Sequence, residues 1–146
     1  MKNVFVVLGM MGFSLLVNAQ QSVTPPSVVK TAFSSVHATQ PSWSKDKDVY
    51  IATFTDQEGT KAAFYNTDGT WIKTQQEVPL NTLSKSVRDE IDNRFLGQNS
   101  KYEFLTSYKV DAPDGKLQAA KFKTGNAYIT IYFTEDGKMI RREFVQ

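Results

Sequence analysis

The chain has 146 residues, no cysteine, and 17 basic side chains against 15 acidic ones. Without cysteine it forms no disulfide and has no thiol nucleophile, so its stability must come from a packed core. Removing Lys2 with a leader leaves sixteen basic against fifteen acidic side chains, and the basic residues form no run. This near-neutral balance argues against a nucleic-acid-binding protein.

The first residues predict a secretory signal peptide. Lys2 gives a positive start, residues 4–17 form an apolar run of 14, and Val17-Asn18-Ala19 places small residues where a signal peptidase cleaves. The run is shorter than the ~20 residues that span a bilayer. We therefore expect residues 1–19 to be removed after Ala19, leaving a periplasmic or secreted protein without an integral membrane segment.

Two amphipathic helices are predicted, one at the start of each half of the mature chain. Apolar residues at a spacing of four share one face of a helix. One such set begins at Val28, and a second begins 59 residues later. The predicted core-facing residues are Val28, Ala32 and Val36 in the first helix, and Val87, Ile91 and Phe95 in the second.

Segments with strand composition follow each helix. They are rich in Val, Ile, Thr, Tyr and Phe and are separated by turns that contain glycine. The predicted strands are 49–55, 60–66 and 70–77 in the first half, and 102–110, 117–123, 127–133 and 138–145 in the second. The pattern predicts an α+β fold in which a helix plus an antiparallel β-meander occurs twice, with the helices on one sheet face. Residues 20–78 are predicted to form repeat 1, and residues 79–146 repeat 2.

Each half contains a similar hairpin, "FYNTDGTWIK" at residues 64–73 and "YFTEDGKMIR" at residues 132–141. Asp-Gly between alternating strands favours a two-residue type I′ turn, and that turn fixes the register. Phe64 then lies opposite Lys73, and Tyr132 opposite Arg141. Opposite residues share a face, so each hairpin presents an aromatic–basic pair on the face away from the helix.

The face away from the helices is the predicted partner-binding surface. Aromatic residues, Met and Arg are enriched at protein interfaces. The predicted partner-binding residues are Phe64, Trp71, Lys73, Tyr128, Tyr132, Met139 and Arg141. An alternative is that these pairs only stiffen the sheet, since a cation over an exposed ring contributes about 0.5–1 kcal/mol.

The sequence shows no catalytic or metal-binding pattern. His37 is the only histidine, and we expect it to be solvated or to cap the first helix. Asp111 and Asp114 lack the loop pattern of a calcium site and fit ordinary turn chemistry. We therefore predict no enzyme activity, no metal and no cofactor.

The residues also resemble a known family. The signal-like start, "PPSVVKTAF…PSW", "TFTDQEGTKAAFYNTDGTWI", "LSKSVRDEI…KYE" and "YITIYFTEDGKMI" are similar to the PepSY-like proteins, also described as β-lactamase-inhibitor-like. The resemblance covers essentially the whole mature chain. It implies tandem helix-plus-sheet units, export and no enzymatic activity. It also implies inhibitory relatives that present an aromatic-rich sheet to their targets, although this chain lacks the cysteines of true inhibitors.

The sequence thus predicts an exported, non-enzymatic binding module. Its expected partner is a protein, of a class such as a peptidase or another envelope enzyme, and no nucleic acid is expected. One alternative is a carrier of a small apolar or peptide ligand held between the sheet and the helices. Another alternative is a structural component of the envelope.

Overall fold

The structure is a computed structural model that describes residues 22–145. The predicted signal peptide lies outside the described residues. Within residues 22–145, no helix has both the length and the apolar character that crossing a membrane requires.

The described chain reads as one helix and four strands, followed by one helix and four strands. The elements are α1 (Ser27–Ser34), β1 (Ser42–Asp46), β2 (Val49–Asp56), β3 (Gly59–Asn66), β4 (Trp71–Val78), a 3-10 turn (Leu80–Thr82), α2 (Lys85–Arg94), β5 (Glu103–Ala112), β6 (Gly115–Thr124), β7 (Ala127–Phe133) and β8 (Met139–Val145). All eight strands form a single antiparallel sheet, and their order in the sheet is their order in the chain. The short strand β1 was not predicted from the sequence.

Each helix packs on one half of the same sheet face. The residues packed around α1 are Val29, Phe33, Tyr50, Ala52, Phe54, Ala63 and Tyr65. Those around α2 are Leu83, Val87, Ile91, Phe95, Ala120, Phe122, Ile129, Ile131 and Phe133. The opposite face of the sheet, called the open face below, has no helix over it in residues 22–145. A third, smaller buried cluster lies on the open face and consists of Val110, Ala112, Leu117, Ala119 and Tyr132.

The core-facing side of α1 differs from the prediction. Val29 and Phe33 are buried, whereas Val36 is 73% exposed and Val28 is also exposed. Apolar residues occupy adjacent positions in this helix. A spacing of four therefore fits either the set that begins at Val28 or the set that begins at Val29. The face carrying Phe33 is buried because its ring has the larger apolar area to remove from water.

In α2 the predicted core residues are confirmed. Val87, Ile91 and Phe95 are all buried. The helix begins after Ser84, whose hydroxyl accepts a hydrogen bond of 3.3 Å from the Val87 amide. This N-cap satisfies one of the amides that the first turn leaves without a partner.

Both Asp-Gly loops have three residues rather than the predicted two. The Asn66 amide donates to the Thr70 carbonyl, and in the second hairpin Thr134 donates to Lys138, each at 2.9 Å. A bulge follows in each case, which leaves Ile72 and Ile140 without cross-strand partners. The longer loop shifts the register by one residue and the bulge shifts it back.

The glycines of these loops lie against the helices. Gly69 has φ +87° and Gly137 has φ +90°, a conformation that side chains disfavour. A Cβ on Gly69 would lie 3.0 Å from the Val28 carbonyl oxygen, and one on Gly137 would lie 2.9 Å from that of Ser86. Each loop is therefore seated under the first turns of its helix.

Candidate functional site

The open face carries five of the seven predicted site residues. Phe64 pairs with Lys73, and Tyr132 pairs with Arg141, as predicted. Tyr128 lies on the same face, since it pairs with Lys123 on one side and Val145 on the other. The restored register beyond each bulge is what keeps these cross-strand pairs together.

Trp71 and Met139 lie on the helix face, which corrects the prediction for both. Trp71 pairs with Tyr65 and Met139 with Phe133, because each lies between the loop and the bulge. Trp71 packs on the α1 core and Met139 on the α2 core. The Trp71 indole also donates a hydrogen bond of 3.0 Å to the Thr74 hydroxyl.

The open face joins the two hairpins through a chain of polar contacts. Lys73 donates a hydrogen bond of 2.5 Å to the Tyr132 hydroxyl, which donates one of 2.8 Å to the Glu143 carboxylate. The Lys73 ammonium lies 5.0 Å from the centre of the Phe64 ring and 5.1 Å from that of Tyr132. We call Phe64, Lys73, Tyr132, Arg141 and Glu143 the Lys73 network.

Arg141 completes the Lys73 network from the outer strand. Its guanidinium carbon lies 4.3 Å from the centre of the Tyr132 ring. Its Nε is 3.5 Å from the Glu143 carboxylate, a charge contact rather than a hydrogen bond. Tyr132 is therefore enclosed by two cations and one carboxylate, and only 1% of it is exposed.

Burial sets the electrostatics of the Lys73 network. It lowers the pKa of Lys73, an effect that the Glu143 carboxylate opposes and the Arg141 charge reinforces. Burial also raises the pKa of Tyr132, and the hydrogen bond to Glu143 adds to the rise. Both shifts follow from placing polar groups of two hairpins in a partly dehydrated site.

Lys73 on β4 and Tyr132 on β7 meet above a buried cluster on the open face. Two strands separate β4 from β7, and neighbouring strands are about 4.8 Å apart, so the backbones of a flat sheet would be at least ~14 Å apart. The long Lys73 side chain and the Tyr132 ring span this distance over the strands between them. The residues of β5 and β6 that are buried together with Tyr132 are Val110, Ala112, Leu117 and Ala119.

The accessible part of the open face lies toward the outer strands. Tyr128 is 39% exposed, and the Lys121 ammonium lies 5.3 Å from the centre of its ring. Glu143 is exposed, and the Arg141 side chain is 37% exposed. The hairpin register predicted from the sequence already places Glu143 on this face, but Glu143 was not among the predicted partner-binding residues. The sequence reasoning missed Lys121, which the register of β6 and β7 indicates because Lys121 pairs with Thr130.

The residues considered for other chemistry have ordinary surroundings. The His37 ring packs on Phe33 and Phe54 at centroid distances of 4.7 and 4.4 Å, and burial lowers its pKa. Asp111 accepts a hydrogen bond of 2.8 Å from Lys116. In the part of the chain that the structure describes, no three His, Cys, Asp or Glu residues form a group that could hold a metal ion.

A polar cleft of about 590 Å³ lies beside the loop that precedes α2. Lys61, Gln76, Lys109, Asp111 and Gln118 are among the residues in its wall. The Gln118 amide oxygen accepts a hydrogen bond of 2.8 Å from the Ser84 backbone. Charged and amide side chains of this kind suit a polar rather than an apolar occupant.

Comparisons with known proteins locate the fold. No family model matches the sequence, and no curated protein matches it. A DUF2874 family protein of Bacteroides ovatus has a similar structure, with a TM-score of 0.63 and 22% identity over 84% of this chain and 89% of that one. A BLIP-like protein of Bacteroides fragilis has a TM-score of 0.62 and 15% identity, with 84% of this chain and 88% of that chain covered. A candidate periplasmic protein of Bacteroides eggerthii has a TM-score of 0.62 and 20% identity, with 84% of this chain and 90% of that chain covered.

The chain has a BLIP-like fold. This agrees with the β-lactamase-inhibitor-like part of the resemblance seen in the sequence. At these identities the likeness is one of fold, and function must be argued from the residues of this chain.

Proposed function

We propose that this protein is an exported, non-enzymatic module that binds a protein partner on the open face of its sheet. The observation that supports this is the placement of both helices on one face, which leaves the other face without a helix over it in residues 22–145. Tyr128 and Glu143 toward its outer strands are exposed, whereas Tyr132 at its centre is buried. A sheet face that carries Tyr128, Arg141 and Phe64 without a covering helix has the composition of an interface.

The proposal divides the open-face residues into two roles. Tyr128, Lys121 and Arg141, with the accessible edge of Phe64, contact the partner. Lys73 and Tyr132 lie too deep for contact and hold Arg141 and Glu143 in position. Trp71 and Met139 take no part in this surface because they pack in the helix-side cores.

We further propose that the two halves are PepSY-like repeats, residues 20–78 and 79–146. Buried helix residues recur 58 residues apart, Val29 with Val87 and Phe33 with Ile91. The backbone carbonyls that seat the loop glycines, those of Val28 and Ser86, are separated by the same 58 residues. Equivalent contacts at a constant separation are what a duplicated unit would produce.

Export rests on the predicted signal peptide and is consistent with a fold counterpart that is described as a candidate periplasmic protein. The proposal is that cleavage follows Ala19. N-terminal sequencing of the protein from an envelope fraction should begin at Gln20, and a chain that retains Met1 would contradict it. The proposed partner class is an exported enzyme such as a peptidase, as the resemblance of the sequence to PepSY-like proteins implies.

The polar cleft supports a second candidate function, the carriage of a small ligand. The charged and amide side chains of its wall suit a short peptide better than an apolar ligand. A bound mass on the purified protein in native mass spectrometry, released by Gln76→Ala, would favour this function.

Photocrosslinking tests the open-face proposal. A photoreactive benzoylphenylalanine replaces Tyr128 in one protein and exposed Val36, which follows α1, in a matched control. Both proteins are irradiated in native envelope extract. We expect position 128 to give a discrete adduct to a different protein, and this adduct should disappear when Lys121→Glu is added. Equal adducts from both positions, or none from position 128, would contradict open-face binding.

A further inference from the structure

Strand β8 forms one edge of the sheet. Among the described residues it pairs only with β7, so one side of its backbone has no strand partner. Such an edge is a template for another strand unless it is blocked by proline, charged side chains, a bulge, a covering loop or a short length. β8 has the bulge at Ile140 and charges at residues 141–143, so a second strand can pair with it only if it matches those charges. β8 has seven residues and no proline, whereas the opposite edge strand, β1, has five.

Apolar exposure is concentrated on this edge. Phe144 is 65% exposed and Val145 is 56% exposed, and Ile140 is also exposed. Tyr128, the cross-strand partner of Val145, adds a fourth large side chain. These four are half of the eight exposed large hydrophobic residues in the described part of the chain. The exposed side chains of β1 are polar, so the two edges are chemically unlike.

The β8 sequence "MIRREFV" is complementary to itself in one antiparallel register. With Arg142 at the centre, Arg141 lies opposite Glu143 of a second copy, twice, and Ile140 lies opposite Phe144, twice. Opposite residues in an antiparallel pair share a face, and opposite charges there are favourable. A centre at Arg141, Arg142 or Glu143 always places one pair of like charges opposite each other, but only the centre at Arg142 also places two pairs of opposite charges beside it.

We propose that the protein forms a two-fold dimer in which β8 pairs antiparallel with β8 of a second copy, centred on Arg142. The two eight-stranded sheets become one continuous sheet, with both open faces on the same side. Because the β1 edge is short and polar, the assembly closes at two copies instead of extending into a filament. The dimer rests on the sheet edge, but Arg141 belongs to both this edge and the open face. Phe144 lies on the helix side of the sheet, so Phe144→Lys tests the dimer without changing the open face.

The centre of the dimer contains one unfavourable contact. Arg142 faces its own copy across the two-fold axis, and its Nε donates to the Met139 sulfur at 3.2 Å within its own chain. Arg142→Thr removes the repulsion between like charges and supplies a β-branched residue suited to a strand. This variant should therefore dimerise about tenfold more tightly than the parent chain.

Sedimentation equilibrium and light scattering on the mature chain, from roughly 1 to 200 μM, test the dimer. We expect reversible dimerisation that Phe144→Lys weakens by at least about tenfold. Val36→Lys is the matched control, since it changes an equally exposed valine far from β8 and should leave the dimer unchanged. A monomer at every concentration, or a dimer unaffected by Phe144→Lys, overturns the proposal.

A charge exchange tests the register. Arg141→Glu alone places carboxylates opposite each other, and Glu143→Arg alone places guanidinium groups opposite each other, so each variant should be monomeric. An equimolar mixture restores both opposite-charge pairs and should form a heterodimer. Circular dichroism establishes that both variants fold. Folded variants that fail to associate, or a monomeric parent chain that instead binds an added strand peptide, would rule out self-pairing centred on Arg142.

Discussion

The ammonium of Lys73 donates a hydrogen bond of 2.5 Å to the hydroxyl of Tyr132, although the two residues belong to different hairpins. Phe64 with Lys73 and Tyr132 with Arg141 are the aromatic–basic pairs of those hairpins. The cation of the first pair thus contacts the ring of the second. One structural role of the similar hairpins is therefore to connect the two halves of the sheet above β5 and β6.

Removing the hydroxyl of Tyr132 should destabilise the protein more than removing the ammonium of Lys73. Tyr132→Phe leaves Lys73 and Glu143 without their shared partner and should lower the free energy of unfolding by about 1–3 kcal/mol. Lys73→Met replaces a largely buried cation by an apolar chain of similar shape and should change it by less than about 1 kcal/mol. Urea denaturation measures both.

The double variant Tyr132→Phe with Lys73→Met completes this cycle. It should be less destabilised than the sum of the single variants, since the ammonium that would lose its hydroxyl partner and keep only the Glu143 carboxylate at 3.6 Å is absent. Lys101→Met is the control, because Lys101 also lies over a tyrosine ring, that of Tyr102 at 5.5 Å, but is exposed. Additive single changes would show that the Lys73–Tyr132 contact is energetically silent.

Stability should fall steeply as the pH rises above about 10. Burial raises the pKa of Tyr65 and of Tyr132, and burial with the nearby Glu77 charge raises the pKa of Tyr108 to about 12. A raised pKa means that the folded protein binds more protons than the unfolded chain in this range, so the free energy of unfolding decreases with pH. Lys73, whose pKa is lowered, acts in the opposite direction below its unfolded pKa of about 10.4.

Urea denaturation between pH 8 and pH 11.5 measures this loss, and tyrosinate absorbance follows the ionisation. We expect Tyr132→Phe and Tyr108→Phe to reduce the steepness of the loss. If the variants and the parent protein lose stability in parallel across this pH range, the buried tyrosines are not its cause.

His37→Phe should stabilise the protein, and more so in acid. The ring packs on Phe33 and Phe54, and the residue 58 positions later, Phe95, is a buried phenylalanine. Burial lowers the pKa of His37 against the opposing charge of Asp56, so the folded protein binds fewer protons and loses stability as the pH falls below about 6.5. Packing alone should give about 0.5–1 kcal/mol. Thermal denaturation of both proteins at pH 5 and pH 8 measures the stabilisation by His37→Phe, which should be larger at pH 5 than at pH 8.

Gly137→Ala should be more harmful than Gly125→Ala. Both glycines have positive φ, so an alanine at either site strains the backbone by about 1–2 kcal/mol. At Gly137 the added Cβ also lies 2.9 Å from the Ser86 carbonyl oxygen, whereas at Gly125 nothing lies within 4 Å. We expect an extra loss of about 1–2 kcal/mol at Gly137, measured by urea denaturation. Equal losses at both sites would mean that the loop can move away from α2.

The hairpins show how far the sequence predicts this site. Asp-Gly and the alternating strands identify both hairpins, and the Phe64–Lys73 and Tyr132–Arg141 pairs are confirmed. The turn type was wrong, because a three-residue loop followed by a bulge gives the same pairing further along. Only the residues between loop and bulge differ, and they include Trp71 and Met139. No local pattern distinguishes the two solutions; the packing of the loop glycines under the helices favours the longer one.

Other differences have similarly local causes. The two possible faces of α1 differ by one residue, and the helix boundary alone does not choose between them. Strand β1, "SWSKD", is polar and has only five residues, so its composition does not indicate a strand. β1 is a strand because its backbone pairs with that of β2, a contact that local composition does not indicate.

The strand order also determines how the protein should respond to a pulling force. Because the eight strands alternate in direction and follow chain order, the start of β1 and the end of β8 lie at the same end of the sheet and at opposite edges. Tension between the termini is then directed across the strands, along their hydrogen bonds, and loads the outermost ladder first. The sheet should therefore unzip one strand at a time and at low force.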